Sequence, residues 1–334
     1  MTHYCICLGY ESLVIPLHLI KNGEKVIVVS NRKDILDFCI FMNIQWKVLP
    51  KITSNDIIQT PKKIKNIVEK VTLELSGEYS VFHITHKSFD IHCLLVPNIH
   101  KRGKIVFHKT EWDPELLLKY RYFSSINPII ILREIIKFWI RMKIIVLMNW
   151  KLDLTFRVNL GTLIPVLKEK NFNKFSIQIV EYNNRHNFYA KVYDKFKISV
   201  EDSYNLFIVS DIDEMSTQAT KESILKVYDV ILLTDVHVKN HPNRNNNKLY
   251  AKQYQTFIPA ELLVNHVKNS VVGLISGVFR YSLTKSDIRT ISCINLLDWH
   301  STRYKRYWTD YLNEMGTGII FPKTLTELYK LLKR

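Results

Sequence analysis

The chain has 334 residues, 47% of them hydrophobic, which is enough for two domains that each bury a core. Lysine and arginine outnumber aspartate and glutamate by 47 to 31, giving a formal charge of +16. This charge favours an acidic partner: nucleic acid, an anionic membrane surface or an acidic small substrate. The sequence contains no nucleic-acid-binding module and no apolar run that approaches a membrane span. We therefore expect neither a nucleic-acid partner nor a transmembrane helix.

The five cysteines indicate a reducing compartment. Their number is odd, their spacing is unlike that of a metal site, and Cys5 and Cys7 fall inside an apolar first strand. The N-terminus lacks a basic segment followed by a long apolar core, so we expect no signal peptide. The sequence therefore predicts a cytoplasmic protein.

The first half of the chain alternates short apolar strands with helical patterns. Strands are predicted over 4–8, 25–30, 46–49, 79–85 and 104–108, and helices over 13–21, 34–42, 55–75 and 90–99. This βαβ alternation predicts a Rossmann-like domain with a parallel sheet. The turn after the first strand contains Gly9 but no G-x-G-x-x-G motif, so a dinucleotide site there is unsupported.

Acidic residues follow two of the predicted strands. Glu111 and Asp113 come after the fifth strand, at the carboxyl end where catalytic carboxylates often lie in such sheets. Pro114 begins a helical pattern, which favours Asp113 as its cap, while the role of Glu111 stays open. A further strand pattern over 175–180 ends in Glu181.

Residues 128–150 have the pattern of a basic amphipathic helix. Arg133, Lys137 and Arg141 recur at close to helical spacing among bulky apolar and aromatic side chains. This pattern is typical of helices that lie in an anionic membrane interface. An ordinary half-buried helix with solvated arginines explains it equally well.

The second half of the chain repeats the alternation after an irregular stretch over 187–197. Strands are predicted over 204–210, 230–234, 271–275, 293–297 and 316–322, and helices over 217–228 and 306–313. A terminal helix is predicted after Thr324, its cap. Asp211 and Asp213 have the spacing of a metal-binding pair, but a capping role for the helix after them explains them better.

We therefore predict an α/β fold of GT-B architecture. Two Rossmann-like domains, 1–197 and 198–334, would face each other across a cleft, with a helix at the C-terminus. The first domain includes the basic segment 128–150 and would hold the acceptor and the base. The second would bind the nucleotide donor.

A cationic cluster stands at the centre of the second domain. Lys239, His241 and Arg244 follow an apolar run, and three cationic groups in so short a segment can grip a phosphate. An imidazolium can also give a proton to a departing phosphate oxygen. Pro242 fixes the backbone directly after the histidine.

Two further motifs follow the cationic cluster in order. Ile258, Pro259 and Glu261 are predicted at the start of a helix, where amides and the carboxylate can meet a base or ribose. Ser276 and Gly277 follow the next apolar run and can offer a hydroxyl and amides to a phosphate. Alone, Glu261 is explained by the helix dipole and Ser276 by a turn. Their order after the cluster favours a donor site.

The succession Lys-x-His-Pro, Ile-Pro-Ala-Glu and a serine at a strand end, over 230–279, resembles the C-terminal half of bacterial GT-B sialyltransferases. These are the lipooligosaccharide sialyltransferases and capsular polysialyltransferases. The resemblance implies a donor of CMP-sialic acid or a related nonulosonic acid. It places His241 at the CMP phosphate, the 258–261 motif on the cytidine and ribose side, and the Ser276 hydroxyl on the phosphate.

The resemblance also implies a base from the first domain. The family carries an acidic pair followed by glycine at a strand end, whereas residues 109–113 here contain no glycine. Glu111 is the best positional match, with Asp113 and Glu181 as alternatives. The family's paired serine or threonine is reduced to Ser276 beside Gly277.

These implications predict an inverting transferase that moves a sugar from CMP to a glycan or glycolipid of the bacterial surface, at the inner face of the cytoplasmic membrane. The CMP leaving group is a monophosphate, which basic and backbone donors can stabilise, so no metal or other cofactor is expected. Two alternatives stay open. One is transfer of another activated unit, from CMP-Kdo or CDP-glycerol. The other is a non-catalytic basic module that binds nucleic acid or anionic lipid.

Overall fold

The structure is a computed structural model that describes residues 1–50, 61–75, 79–85, 91–109, 132, 135, 136, 139, 154–159, 162–168, 170–182, 185–240, 250 and 252–333. The chain divides into two compact units, Met1–Arg185 and His186–Arg334. Each unit is built on its own sheet, and each is described separately below.

The first unit contains a parallel sheet of six strands in the order β3-β2-β1-β4-β5-β8. These strands are β1 Thr2–Ile6, β2 Lys25–Ser30, β3 Trp46–Val48, β4 Ser80–Ile84, β5 Gly103–His108 and β8 Gln178–Val180. The chain moves outward from β1 through β2 to β3 and then returns to the other side of β1 with β4. The order of the strands therefore reverses between β1 and β4, and ligands bind at such reversals in open α/β sheets.

Helices connect the parallel strands of the first unit. They are α1 Val14–Lys21, α2 Lys33–Phe41, α3 Pro61–Leu75, α4 Ile91–Ile99 and α5 Lys170–Lys174. A tight turn joins α1 to β2, and Gly23 adopts a positive φ of 82° there, which glycine tolerates best. Two further strands, β6 Leu154–Asn159 and β7 Thr162–Leu167, form an antiparallel hairpin.

The main core of the first unit lies against one face of this sheet. Tyr4, Phe82 and Phe107 on neighbouring strands pack with α3 and α4. Because successive side chains along a strand point to opposite faces, the residues directly before and after each of these aromatics point to the other face of the sheet. His3, His83 and His108 are three of those residues.

The second unit contains a parallel sheet of five strands in the order β10-β9-β11-β12-β13. They are β9 Ser203–Ile208, β10 Val236–Lys239, β11 Val267–Gly273, β12 Arg289–Ser292 and β13 Ile319–Ile320. Its helices are α6 Arg185–Tyr193, α7 Ile212–Ser216, α8 Lys221–Leu232, α9 Ala260–Leu263, α10 Val278–Ser282, α11 Thr302–Met315 and α12 Leu325–Lys333. The strand order reverses between β9 and β11.

The predicted fold class is confirmed: α/β, with two parallel sheets of Rossmann-like type and a helix at the C-terminus. The predicted cap of the last helix is also present, since Thr324 Oγ1 accepts from the amide of Glu327 at 3.1 Å. No helix in the described part of the chain is both long and apolar enough to cross a membrane.

Several predicted elements are corrected. The expected strand over 230–234 is wrong, because α8 continues to Leu232 and its buried Val227 and Ile231 keep helical spacing. The strand begins only at β10. The expected strand over 293–297 is also wrong, because β12 ends at Ser292 and a short 3-10 helix, Ile294–Leu296, follows it. Asp211 does cap a helix, but that helix is α7, through a 2.8 Å bond from the amide of Glu214.

The boundary between the units falls at Arg185 rather than at 197. Residues expected to be irregular form α6, and its end is tied into the second unit. Tyr193 packs edge to face on Tyr281, and the carbonyl of Tyr193 accepts from Asn265 Nδ2 at 3.2 Å. These contacts explain why the helix belongs to the second unit.

Candidate functional site

The strand reversal in the second unit brings the ends of β9 and β11 together. Ser210 follows β9, and its hydroxyl donates to the carbonyl of Ile275, beyond β11, at 3.5 Å. Ser276 and Gly277 come next in the chain. Two of the residues predicted from sequence therefore lie where an open α/β sheet offers a crevice to a ligand.

Ser276 and Gly277 lead directly into α10. The Ser276 hydroxyl accepts from the amide of Val278 at 3.3 Å, so its oxygen helps to cap that short helix. Apart from the neighbouring residues of its own chain segment, no described heavy atom lies within 4 Å of the point where a side chain on Gly277 would begin. The backbone at Gly277 therefore leaves room for a group that approaches closely.

The Pro259–Glu261 motif begins a helix, as predicted. Pro259 is the N-cap of α9, and Glu261 lies in its first turn, where a negative charge is favourable. This helix packs against α10, so the second and third predicted motifs are neighbours. Ile258 is 2% exposed, so its side chain packs in the interior of the second unit. Its role in donor binding stays a prediction.

Lys239 ends β10 and is only 3% exposed. Its ammonium donates to the carbonyls of Asn240 and Thr256, both at 2.8 Å. The cation thus holds the segment that follows β10 against the segment that leads to Pro259. A phosphate contact of Lys239 stays a prediction. Its observed contacts make it a residue that positions the site's backbone.

The neighbouring Asn240 is 3% exposed, and its side-chain oxygen has no hydrogen-bond partner among the described residues. A buried acceptor without a partner is unfavourable unless a ligand or water supplies a donor. Asn240 directly precedes His241. The sequence offered no signal for this residue, because an asparagine before His-Pro reads as an ordinary loop residue.

The strand reversal in the first unit has its own polar residues. The carboxylate of Glu11 lies directly against the Cα of Gly9, in the space that a side chain at position 9 would fill. Thr85, beyond the end of β4, is 7% exposed, and its hydroxyl is unpartnered among the described residues. No sequence motif singles out either Glu11 or Thr85. The signal that finds them is the strand order, which places the ends of β1 and β4 side by side.

Glu181 lies at the carboxyl end of β8, with Lys109 beyond β5 beside it. Their side chains form an ion pair, and the Lys109 amide donates to the Val180 carbonyl at 3.0 Å. Because Glu181 is 56% exposed, the pair contributes little to stability. The Lys109 ammonium already occupies this carboxylate, so Glu181 would have to leave the ion pair before it could bind a substrate hydroxyl.

The remaining predicted residues, Glu111, Asp113, His241, Pro242 and Arg244, lie outside the described residues. Their roles stay predictions. Within the described ranges no group of three or more histidine, cysteine, aspartate or glutamate side chains is placed to hold a metal ion.

No family model and no curated protein matches this chain. Solved structures do match it. A proposed UDP-N-acetylglucosamine 2-epimerase from Listeria monocytogenes is 10% identical, with a TM-score of 0.45 over 99% of this chain and 90% of its own. The glycotransferase of kitacinnamycin is 10% identical, with a TM-score of 0.44 over 99% and 89%. The glycosyltransferase SnogD from Streptomyces nogalater is 7% identical, with a TM-score of 0.40 over 99% of both chains.

Proposed function

We propose that the chain is an inverting glycosyltransferase of GT-B type. It would transfer sialic acid or a related nonulosonic acid from CMP to a glycan or glycolipid acceptor of the bacterial surface. The observation that carries the proposal is the strand reversal of the second unit. There Ser276 and Gly277 stand at the sheet's open end, and α9 with Glu261 packs against the helix that follows them.

The residues of this site suit a nucleotide monophosphate. The Ser276 hydroxyl and the open backbone at Gly277 would bind the phosphate, and Glu261 would accept from ribose hydroxyls. His241 would give its proton to the departing phosphate oxygen, with Arg244 as a second cation and Pro242 fixing the turn. Because these hydrogen-bond donors and cations can stabilise a single phosphate, we propose a reaction without a metal.

The proton of the acceptor hydroxyl needs a base from the first unit. Glu111 is the residue that the sequence resemblance favours. Glu11 is a second candidate, because its carboxylate lies against Gly9, beyond the end of β1 at the strand reversal. Glu181 is a third candidate, but its carboxylate is already ion-paired with Lys109.

A membrane location is supported by one described feature of the 128–150 segment. Leu132, Ile135, Ile136 and Trp139 are helical, follow the i, i+3, i+4, i+7 spacing of one helix face, and are between 37% and 64% exposed. The same segment carries Arg133, Lys137 and Arg141 in sequence. An exposed apolar helical face within a segment of basic sequence fits an anionic membrane surface, which would hold a glycolipid acceptor near the enzyme.

The donor assignment is tested by thermal unfolding in the presence of CMP, CDP, UDP and GDP. CMP is expected to raise the melting temperature, since a ligand that binds only the folded state stabilises it. Ser276→Ala and Glu261→Gln should reduce this shift, while Glu69→Gln, an exposed carboxylate on α3, should leave it unchanged.

The other outcomes separate the alternatives. A larger shift with CDP than with CMP would favour a CDP-glycerol transferase. Stabilisation by UDP or GDP without CMP would overturn the donor assignment. No shift with any nucleotide would overturn the proposed function.

A further inference from the structure

Three buried histidines stand on adjacent strands of the first unit: His3 on β1, His83 on β4 and His108 on β5. His83 lies two residues beyond the β4 position that pairs with His3, and His108 lies two residues beyond the β5 position that pairs with His83. Tyr182, beyond β8, continues the row by the same step. Residues two apart in a strand share a face, so the row runs diagonally over one face of the sheet. It reaches the carboxyl edge at Tyr182.

The side chains of this row are hydrogen-bonded to one another. His3 Nδ1 lies 2.9 Å from His83 Nε2, His83 Nδ1 lies 2.8 Å from His108 Nε2, and His108 Nδ1 lies 2.7 Å from the Tyr182 hydroxyl. The rings are nearly parallel, with centroids 5.1, 5.1 and 6.0 Å apart. Each histidine is 6% exposed. A tetrahedral metal between two such nitrogens would hold them about 3.3 Å apart, so direct hydrogen bonds explain the spacing.

The far end of the row meets Glu24, in the turn before β2. His3 Nε2 is buried and makes no well-formed hydrogen bond, but it lies 3.3 Å from the Glu24 carboxylate. The Glu24 side chain is 42% exposed, so a small rotation can complete the bond. The row therefore joins a surface carboxylate to a hydroxyl at the carboxyl edge of the sheet.

The carboxylate sets the direction of the hydrogen bonds. An ionised Glu24 can only accept, so His3 donates from Nε2 and must accept at Nδ1. His83 then donates from Nε2, and His108 does the same, which leaves His108 Nδ1 to accept the proton of Tyr182. In this arrangement all three imidazoles are Nε2–H tautomers, and every ring nitrogen has a hydrogen-bond partner in the row except His3 Nε2, which faces the Glu24 carboxylate.

We propose that Tyr182, His108, His83, His3 and Glu24 form a proton path for the transfer reaction. The inference rests on the proposed function, because the acceptor hydroxyl supplies the proton. Tyr182 receives that proton from the hydroxyl, or from the carboxylate that binds it, and passes its own to His108 Nδ1. Each imidazole takes a proton at Nδ1 and releases one from Nε2, and the last moves from His3 to Glu24 and on to water.

Atoms and charge balance in this sequence. One proton enters at Tyr182 and one leaves at Glu24, so every imidazole stays neutral and only exchanges its tautomer. After the product leaves, the same transfers in reverse restore the starting tautomers. Water at Glu24 supplies a proton, and Tyr182 releases one to water at the carboxyl edge.

The surroundings of His83 and His108 favour the neutral form of these two rings. Burial lowers the pKa of His83 to about 3, with His108, His3 and Lys104 adding repulsion of the same sign. Burial likewise lowers the pKa of His108 to about 4, with His18 on α1 adding to the effect. Burial raises the pKa of Tyr182, which keeps its hydroxyl protonated between turnovers. A path of neutral tautomers therefore fits this site better than a path of imidazolium ions.

The first test reads the tautomers by nitrogen NMR of the histidine-labelled full-length chain at about pH 7.5, above the usual histidine pKa. His3, His83 and His108 should each carry the proton on Nε2. Glu24→Gln should raise the Nδ1–H fraction, whereas Glu69→Gln should not. Nδ1–H on His83 or His108 in the unaltered chain would overturn the proposal. This readout needs no activity, so it stands even if the proposed function fails.

The second test measures transfer from a CMP-sugar. Glu24→Gln should lower kcat by at least about tenfold without changing KM for the donor, because positioned proton transfer contributes roughly 10²–10⁴. The kinetic solvent isotope effect should change as well, which a purely structural role would not cause. The His83→Gln side chain keeps one donor and one acceptor but cannot exchange tautomers. This variant should therefore lower kcat as Glu24→Gln does. Unaltered kcat in either folded variant would overturn the path.

Discussion

The carboxylate of Glu11 fills the space over Gly9 at the strand reversal of the first unit. If Glu11 is the base, Glu11→Gln should lower transfer by about 10² or more, since general-base catalysis contributes roughly 10²–10⁴. Gly9→Ala should have a comparable effect, because the added methyl group must displace the carboxylate. CMP-induced stabilisation should be unchanged in both variants. The measurement is the transfer rate at saturating donor.

The control is Glu69→Gln, which removes an exposed carboxylate of the same unit. Full activity in Glu11→Gln would move the role to Glu111, whose Gln variant should then be inactive.

No sequence signal singled out Glu11, because one glutamate two residues after one glycine is common. Its importance depends on β1 and β4 being neighbours, and the sequence does not specify that pairing.

The buried His83 and His108 make stability depend on pH. Their pKa values in the folded state are lowered to about 3 and about 4 by burial, while an unfolded histidine has a pKa of about 6.5. The unfolded chain therefore binds more protons as pH falls below about 6.5, and the folded state loses stability through this window. Each histidine contributes a slope of at most about 1.4 kcal/mol per pH unit there.

Urea unfolding between about pH 7.5 and about pH 5 measures this slope. His108→Gln should make the dependence shallower, whereas His300→Gln, at an exposed position, should not. An equally steep dependence in His108→Gln would contradict the assignment of the slope to the buried row.

At the scale of elements, the type of most strands and helices could be predicted, and their limits could not. The apolar run 230–233 has the composition of a strand, yet residues 230–232 complete α8, because Val227 and Ile231 face the core on one side of the helix. The hairpin of β6 and β7 was missed entirely. In both places composition favours more than one element, and tertiary packing decides between them.

One side chain ties three elements of the second unit together. Asn205 on β9 is fully buried, and its amide donates to the carbonyls of Asp235, at 3.0 Å, and Leu332, at 2.9 Å. Its oxygen accepts from Asn269 and Ser270. Asn205→Ala should lower the free energy of unfolding by roughly 3 kcal/mol, because buried groups lose their partners. It should also speed amide exchange in α12.

Asn313→Ala is the matched control, because that asparagine is exposed on α11. Its effect on the free energy of unfolding should stay within about 0.5 kcal/mol. A loss below about 1 kcal/mol in Asn205→Ala would show that water replaces the missing amide, and that α12 is held by its apolar contacts instead.

The exposed helix face at Leu132, Ile136 and Trp139 predicts membrane binding. Replacing all three with serine should weaken binding to anionic liposomes, since apolar contact and charge act together at such surfaces. Replacing Ile40, Val48 and Leu73, which are 59–60% exposed elsewhere in the first unit, should not. Flotation with anionic liposomes measures the binding of both triple variants. The triple replacement of Arg133, Lys137 and Arg141 with glutamate should also weaken binding. Unchanged flotation in this variant and in the serine variant would rule out this segment as the membrane-binding site.

For the whole molecule, the repeated alternation of strand and helix was sufficient to predict two parallel sheets. What it could not predict is the register that builds the histidine row. Three histidines 80 and 25 residues apart are unremarkable in sequence. They become one chain only because β1, β4 and β5 pair in parallel with a two-residue offset between successive histidines.

The net charge of +16 also suits a second function of the whole molecule, a basic module that binds polyanions without catalysis. The two explanations differ in their dependence on salt. Binding that neutralises several phosphates weakens steeply with salt, by about 10³–10⁵ between 50 and 200 mM for 6–10 contacts. CMP carries one phosphate and should lose far less affinity over that range. Calorimetric titration of CMP and of a single-stranded oligonucleotide at both salt concentrations measures the difference.

The enzyme explanation predicts saturable CMP binding at both salt concentrations, with about 2.7 kcal/mol of stabilisation at a hundredfold excess over Kd. It also predicts that His241→Ala abolishes transfer while the fold stays stable. Arg303→Ala, on the exposed surface of α11, should retain transfer. Tight oligonucleotide binding that is lost at high salt, together with no CMP binding and no effect of His241→Ala, would establish the basic module instead.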